Sequence, residues 1–183
     1  SRSLLRAIAP ANVLALTLLV PAIVPATAQG VSATVVLPGF RGVVRMDTVG
    51  TTESVPGSVG QVYAAVRRAF DSLGVAQALN DSTRGLVGNL ELRLLRRFAG
   101  QPMSRWVDCG VGHTGPTANL YRVHLALLAT VSPAPGGGAN LKTSVAAGAQ
   151  ALGGPLADPI ACQSTGAIET RLTELVRTLQ PQR

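Results

Sequence analysis

The sequence predicts an α+β domain of two layers, in which two helices cover one face of an antiparallel sheet. Two segments carry apolar residues at helical spacing on a single face. Between them, several segments alternate apolar and polar residues, as half-buried strands do. Because each helix has only one apolar face, both can pack against the same side of one sheet.

Residues 1–28 precede this domain and have the pattern of a secretory signal. Arg2 and Arg6 are followed by an apolar stretch over residues 8–24 and then by Ala26-Thr27-Ala28, a small-x-small cleavage site. The apolar stretch is also close to the roughly 20 residues that span a bilayer as a helix. The sequence therefore leaves open a cleaved signal peptide and a retained membrane anchor. In both cases residues 29–183 are expected to form a single exported α+β domain, in the periplasm and associated with the membrane.

The exported part begins with two predicted strands, over residues 31–37 and 43–49, which are rich in β-branched residues. A turn over residues 54–58 leads into the first helix, with Ser58 as its N-cap and Gly74 as its stop signal. The buried face of this helix consists of Val62, Val66, Ala69, Phe70 and Leu73.

A run of predicted strands follows. The first two cover residues 75–79 and 86–98, on either side of a turn, and a short one covers residues 106–110. The clearest strand runs over residues 121–131, with apolar side chains on one face and Arg122, His124 and Thr130 on the other. A Gly- and Pro-rich loop then leads to a strand over residues 141–149, which predicts an antiparallel hairpin.

The last predicted element is a helix that begins at Ser164 or Thr165 and ends before Pro181. Its apolar stripe consists of Ile168, Leu172, Leu175, Val176 and Leu179. We expect the core between helices and sheet to include Phe70, Leu73, Leu172, Leu175, Tyr121 and Leu125.

The two cysteines, Cys109 and Cys162, both lie in the exported part. An even pair of cysteines in an oxidising compartment predicts one disulfide bond. The two histidines have no ligand spacing with them, so no metal site is predicted.

The chain carries a net charge of +7, and nearly all of its basic residues are arginine. Arg93, Arg96, Arg97 and Arg105 are close in the sequence, and two interpretations apply to them: a solvated face, or a docking surface for acidic protein subunits or anionic lipid. Nucleic acid is not an expected partner, since the leader directs the domain out of the cytoplasm and aromatic residues are few.

No motif indicates an enzyme. The sequence has no Gly-x-Ser-x-Gly nucleophile elbow, and the Gly-rich segment over residues 110–115 lacks the Lys and the following helix of a phosphate-binding loop. We therefore predict no catalytic residues and no cofactor.

Three segments carry a resemblance to exported proteins of high-GC, gemmatimonad-type bacteria: residues 62–74, Ser104-Arg105-Trp106-Val107-Asp108-Cys109-Gly110, and Thr114-Gly115-Pro116. That group implies no activity. The helix-and-sheet architecture after an export signal also resembles the C-subunit lipoprotein of the outer-membrane barrel-assembly machine, although the lipidated cysteine is missing. A small basic exported protein with an apolar N-terminal segment further resembles extrinsic subunits of photosynthetic reaction-centre and light-harvesting complexes.

The expected function is a non-enzymatic structural or assembly subunit of a bacterial membrane protein complex, most specifically an extrinsic subunit that stabilises a photosynthetic complex. Its partners would be membrane protein subunits and anionic lipid, with residues 1–28 adding a membrane contact if they are retained. Two alternatives stay open: a periplasmic module that binds a small ligand or lipid on the concave side of the sheet, and an accessory protein of envelope assembly.

Overall fold

The computed structural model describes residues 33–153 and 158–180. The leader, residues 1–28, lies outside the described residues. The two helices are α1 (Val59–Ser72) and α2 (Ala167–Leu179). The strands, in chain order, are β1 (Thr34–Val36), β2 (Val43–Arg45), β3 (Thr51–Val55), β4 (Leu79–Asp81), β5 (Leu86–Leu95), β6 (Arg97–Phe98), β7 (Gln101–Pro102), β8 (Val107–Asp108), β9 (Val111–Gly112), β10 (Gly115–Pro116), β11 (Arg122–Pro133), β12 (Ala139–Gln150) and β13 (Ile160–Ser164).

The main sheet has seven strands, and its strand pairs are antiparallel, as predicted. Its order is β4-β5-β11-β12-β13-β8, with β3 pairing along the first half of β12. The long β11–β12 hairpin forms the centre, where Leu125 lies opposite Ala147 and Leu127 opposite Val145.

Both helices pack on one face of this sheet, which confirms the predicted α+β arrangement. Ser58 caps α1 in a reciprocal capping box with Gln61, and Gly74 follows the helix with a φ of 70°. Phe70, Leu73, Leu125 and Leu172 are buried in the core between helices and sheet, and Tyr121 and Leu175 are partly buried against it.

The opposite face of the sheet is covered as well, which corrects the expectation of two layers. The β1–β2 hairpin places Leu37 and Met46 against Leu86, Ala126 and Leu128. This second core adds a third layer. The sequence predicts a polar outer face, because Arg122, His124 and Thr130 lie on that side of the strand. Ala126 and Leu128 lie on the same side, and the hairpin buries both.

The strands differ most clearly from the predicted ones in three places. The predicted strand 86–98 breaks at Arg96, which has a φ of 62°, so β6 starts a separate small hairpin. The predicted strand 75–79 is displaced, since only residues 79–81 pair with β5. Residues 51–55, which lead into the predicted turn, form β3 instead, because the start of β12 offers them an edge to pair with.

The second helix starts later than predicted. Ser164 belongs to β13, and Gly166 is the N-cap, with a φ of 81°. The Ser164 hydroxyl donates to the buried carboxylate of Glu169 at 2.8 Å. Ser164, a predicted start of the helix, therefore provides a hydrogen-bond partner for a buried acid in the first helical turn.

A disulfide joins Cys109 to Cys162, with 4.3 Å between the two Cα atoms. Cys109 directly follows β8, and Cys162 lies in β13, the strand with which β8 pairs. The predicted bond is therefore present and ties an edge strand to its neighbour. Within the described residues, no helix is both long and apolar enough to cross a bilayer.

Candidate docking surface at one end of the sheet

The register of the three central strands defines one end of the sheet. β5 ends at Leu95, opposite Arg122 at the start of β11, which in turn lies opposite Gln150 at the end of β12. The tip of the β1–β2 hairpin rests against the same end, since a Cβ on Gly148 would lie 2.0 Å from the carbonyl oxygen of Pro38. We call this region the arginine end.

Six exposed arginines lie at the arginine end. Two lie in or next to the paired ends of β5 and β11, one lies at the tip of the β1–β2 hairpin, and three lie in or beside the β6–β7 hairpin that continues from β5. They are Arg41, Arg93, Arg96, Arg97, Arg105 and Arg122. The set contains the four arginines that the sequence singled out.

The arginine end differs from the rest of the described chain in how its charges are compensated. Within residues 33–153 and 158–180, none of its six guanidinium groups forms an ion pair with a carboxylate. Four of the other six described arginines do form such a pair: Arg45 with Asp47, Arg84 with Asp81, Arg171 with Glu174, and Arg177 with Glu53. The remaining two donate to neutral groups, Arg67 to the Gln77 side chain and Arg68 to the Leu179 carbonyl, as Arg97 of the arginine end does to the Gly100 carbonyl. Asp108 and Asp158 lie in segments next to the arginine end, but neither pairs with an arginine there.

The structure divides the four arginines of the sequence prediction between two sides. Arg93 lies opposite His124, on the face of the sheet that looks away from the helices. Arg105 lies on the helix side, with its guanidinium carbon 5.8 Å from the centre of the Trp106 ring. Arg96 and Arg97 lie between them, where the chain leaves β5. The arginines therefore surround one end of the molecule and do not form a flat patch.

The β6–β7 hairpin holds its arginines on a packed base. Trp106 is buried, its ring meets Phe98 edge-on at 5.6 Å, and its indole N–H donates to the Phe98 carbonyl at 2.9 Å. The Arg96 carbonyl accepts from the Met103 backbone at 2.8 Å, which closes the hairpin. The positive φ of Arg96, which L residues rarely adopt, turns the chain out of the sheet at this point.

Arg93, Arg122 and His124 form a cluster that the sequence prediction did not assemble. Burial lowers the pKa of His124, and the positive charges of Arg93 and Arg122 lower it further. The His124 Nε2 atom is buried without a hydrogen-bond partner in the described chain. The alternation along residues 122–131 was the available signal, since it already placed Arg122 and His124 on one face.

Exposed apolar side chains collect at the same end. Leu95, Leu120 and Leu152 lie at the ends of β5, β11 and β12, and Val36 and Val43 flank the tip of the β1–β2 hairpin. Val111 lies in the β9–β10 hairpin, on the segment that leads into β11. Among the described residues, Leu79 at the other end of the sheet is the one exposed large apolar residue outside this group. We call the six residues at the arginine end the apolar rim.

A cleft of about 870 Å³ opens beside Arg105, between the end of α1 and the start of α2. Ser72, Trp106, Thr170 and Arg171 are among the residues that line it. The cleft lies between helix ends, because both faces of the sheet are packed. The expected ligand site on the concave face of the sheet stays a prediction.

Chemistry-bearing clusters are scarce in the part of the chain that the structure describes. No three His, Cys, Asp or Glu side chains there lie close enough together to hold a metal ion. His113 is exposed in the β9–β10 turn, and His124 lies on the sheet. The arrangement that stands out is thus the uncompensated positive charge next to exposed apolar side chains.

The chain matches no protein-family model, no curated protein and no solved structure.

Proposed function

We propose that this protein is a non-enzymatic, extracytoplasmic subunit that docks through its arginine end onto the anionic surface of a membrane assembly. One observation carries the proposal: of the eight described arginines that form no ion pair with a carboxylate, six lie together, exposed, at one end of the sheet. Arginine pairs in forked geometry with carboxylates and phosphates, so such an end suits an anionic partner.

The apolar rim supports the same proposal. An exposed apolar group that is bordered by charged residues is typical of an interaction site. In its more specific form, the proposal is an extrinsic structural subunit of a bacterial membrane protein complex, such as a photosynthetic reaction-centre complex. The secretory pattern of residues 1–28 supports placement outside the cytoplasm.

The test is sedimentation of the protein with its native complex. The full chain, tagged and expressed in its source bacterium, should migrate with a large membrane complex after mild detergent extraction. Arg93→Glu/Arg122→Glu should release it, and raised salt should weaken the contact at exposed arginines. The matched control is Arg67→Glu/Arg84→Glu, which changes the net charge equally but lies away from the arginine end. Migration of the unaltered protein alone, or equal release of both variants, would contradict the proposal.

The cleft favours a second candidate, a module that binds a small ligand. Its volume of about 870 Å³ lies in the range of ligand pockets, and two arginines, Arg105 and Arg171, line it. A ligand in this cleft should raise the melting temperature of the purified protein by mass action, and Thr170→Trp should remove that shift by filling the cleft. An unchanged melting temperature across a panel of anionic metabolites would reject this candidate.

A further inference from the structure

We propose that the arginine end binds directly to an anionic lipid bilayer, with its arginines on the lipid phosphates and its apolar rim in the headgroup region. This inference rests on the proposed docking function and names the partner surface. It concerns the lipid itself, and an acidic protein subunit is the competing outcome of the test.

The first argument is the pairing of two kinds of side chain at one end. Positive charge attracts any anionic partner, and the protruding aliphatic side chains around that charge supply apolar area that a headgroup region can bury. Six of the seven exposed large apolar residues in the described chain lie at the arginine end. Surfaces that bind lipid membranes combine buried apolar area with attraction to anionic headgroups, and this end has both components.

The second argument is how the rim is distributed. Val36 and Val43 protrude from the β1–β2 hairpin, Leu95 and Leu120 from the strand ends at the centre, and Leu152 from the loop after β12. These positions belong to four separate segments, and the register of the strands brings them together at this end. A fluid lipid surface can accommodate exposed apolar side chains at separate positions, whereas a rigid protein pocket would have to match each position.

The third argument is the geometry of the arginines. They lie on both sides of the sheet end, with Arg93 and Arg122 on one side and Arg105 on the other. A broad planar surface placed against the end can meet both groups at once. Each arginine close to an anionic membrane surface strengthens membrane binding about fivefold, so six arginines together attract the protein strongly to such a surface.

The experiment places a fluorescent reporter at the rim of the full chain. Leu120→Trp adds an exposed indole at the arginine end, and Leu79→Trp adds one at the opposite end as the matched control; these leucines are 43% and 36% exposed. Trp106, the chain's own tryptophan, is 3% exposed, and its signal is subtracted with the unaltered protein. The probe is protein-free vesicles of brominated phosphatidylcholine, with and without phosphatidylglycerol.

We expect bromine to quench the Leu120→Trp reporter in vesicles that contain phosphatidylglycerol, and not in neutral vesicles. The Leu79→Trp reporter should stay unquenched in both. Adding Arg93→Glu/Arg122→Glu to Leu120→Trp should lower the ratio of docked to undocked protein at least about fivefold per arginine, and Arg67→Glu/Arg84→Glu should leave it unchanged. Comparing positions within one chain keeps the readout specific even if residues 1–28 insert into the vesicles.

Absent quenching at Leu120→Trp, equal quenching at both reporters, or equal quenching with and without phosphatidylglycerol would overturn the inference. The docking function itself is measured separately, by sedimentation with the native complex. If the protein follows that complex in an arginine-dependent way but ignores protein-free vesicles, its partner is an acidic protein surface. If it does neither, the proposed function fails as well.

Discussion

At the scale of single residues, the unusual feature is a histidine held between two arginines. His124 lies opposite Arg93 across the β5–β11 pair and two residues from Arg122 on its own strand. On its other side, β12 places Gly148 opposite it, so that strand brings no compensating charge. The imidazolium form is therefore disfavoured, both by burial and by two like charges.

This predicts a specific pH dependence of stability. The pKa of His124 lies below its ordinary value of 6.5 in the folded chain, so the unfolded chain takes up a proton first as the pH falls. The free energy of unfolding should decrease as the pH falls from above 6.5 toward the folded pKa, and this component should level off below it. His124→Gln should remove the component, whereas His113→Gln, at an exposed turn, should keep it. Denaturant titrations between neutral and mildly acidic pH measure both, and identical profiles for the two variants would contradict the prediction.

Gly148 decides where the third layer sits. A Cβ at this position would lie 2.0 Å from the Pro38 carbonyl oxygen, closer than any contact allows. We expect Gly148→Ala to cost about 1–3 kcal/mol of unfolding free energy, because the β1–β2 hairpin must move off its core. Gly42→Ala is the control, since nothing lies within 4 Å of its Cβ. Equal stability of the two variants in chemical denaturation would mean that the hairpin does not rest on the sheet.

At the scale of elements, the two helices follow their sequence patterns closely. Each buries one apolar face in the core on the sheet: Val62, Val66 and Phe70 in α1, and Ile168, Leu172 and Val176 in α2. Helical spacing predicts such faces well, because it depends on the regular geometry of the helix alone.

The fully buried Leu172 gives a test of this packing. Leu172→Ala should lower the free energy of unfolding by about 2–5 kcal/mol, through lost burial and the cavity left behind. Leu120→Ala, at an exposed position, should change it by less than about 0.5 kcal/mol. A loss below about 1 kcal/mol for Leu172→Ala would show that α2 does not cover the sheet.

The disulfide acts on the edge of the sheet, where β8 pairs with β13 over only two residues. It closes a loop with a sequence separation of 53, so the chain-entropy model gives a contribution of about 4 kcal/mol. Cys109→Ala/Cys162→Ala should lower the unfolding free energy by up to this amount. Thiol labelling of the unfolded, unreduced protein should find no free cysteine in the described chain, and two labelled thiols would refute the bond.

At the scale of the whole molecule, six of the eight described arginines without an ion pair and six of the seven exposed large apolar residues in the described chain lie at one end. Salt should therefore weaken docking while leaving the folded domain intact, because the six arginines of that end are compensated by no carboxylate in the described residues. The opposite end offers a built-in comparison, with Arg84 beside Asp81 and Arg177 beside Glu53.

The α+β class, the faces of both helices, the central hairpin and the cysteine pair could all be predicted from the amino-acid sequence. These features depend on the spacing of residues within short segments, and that spacing is visible in the sequence. Four arginines of the arginine end were also found, because they are close in sequence.

The full set of arginines at one end and the third layer depend on tertiary packing. Arg41 and Arg122 join the other arginines because the antiparallel register and the β1–β2 hairpin bring distant segments to one end of the sheet. The third layer exists because that hairpin covers Ala126 and Leu128, a contact between segments about 90 residues apart. Pairings across such distances depend on which surfaces remain exposed once the local elements have formed, and a local pattern carries no information about that choice.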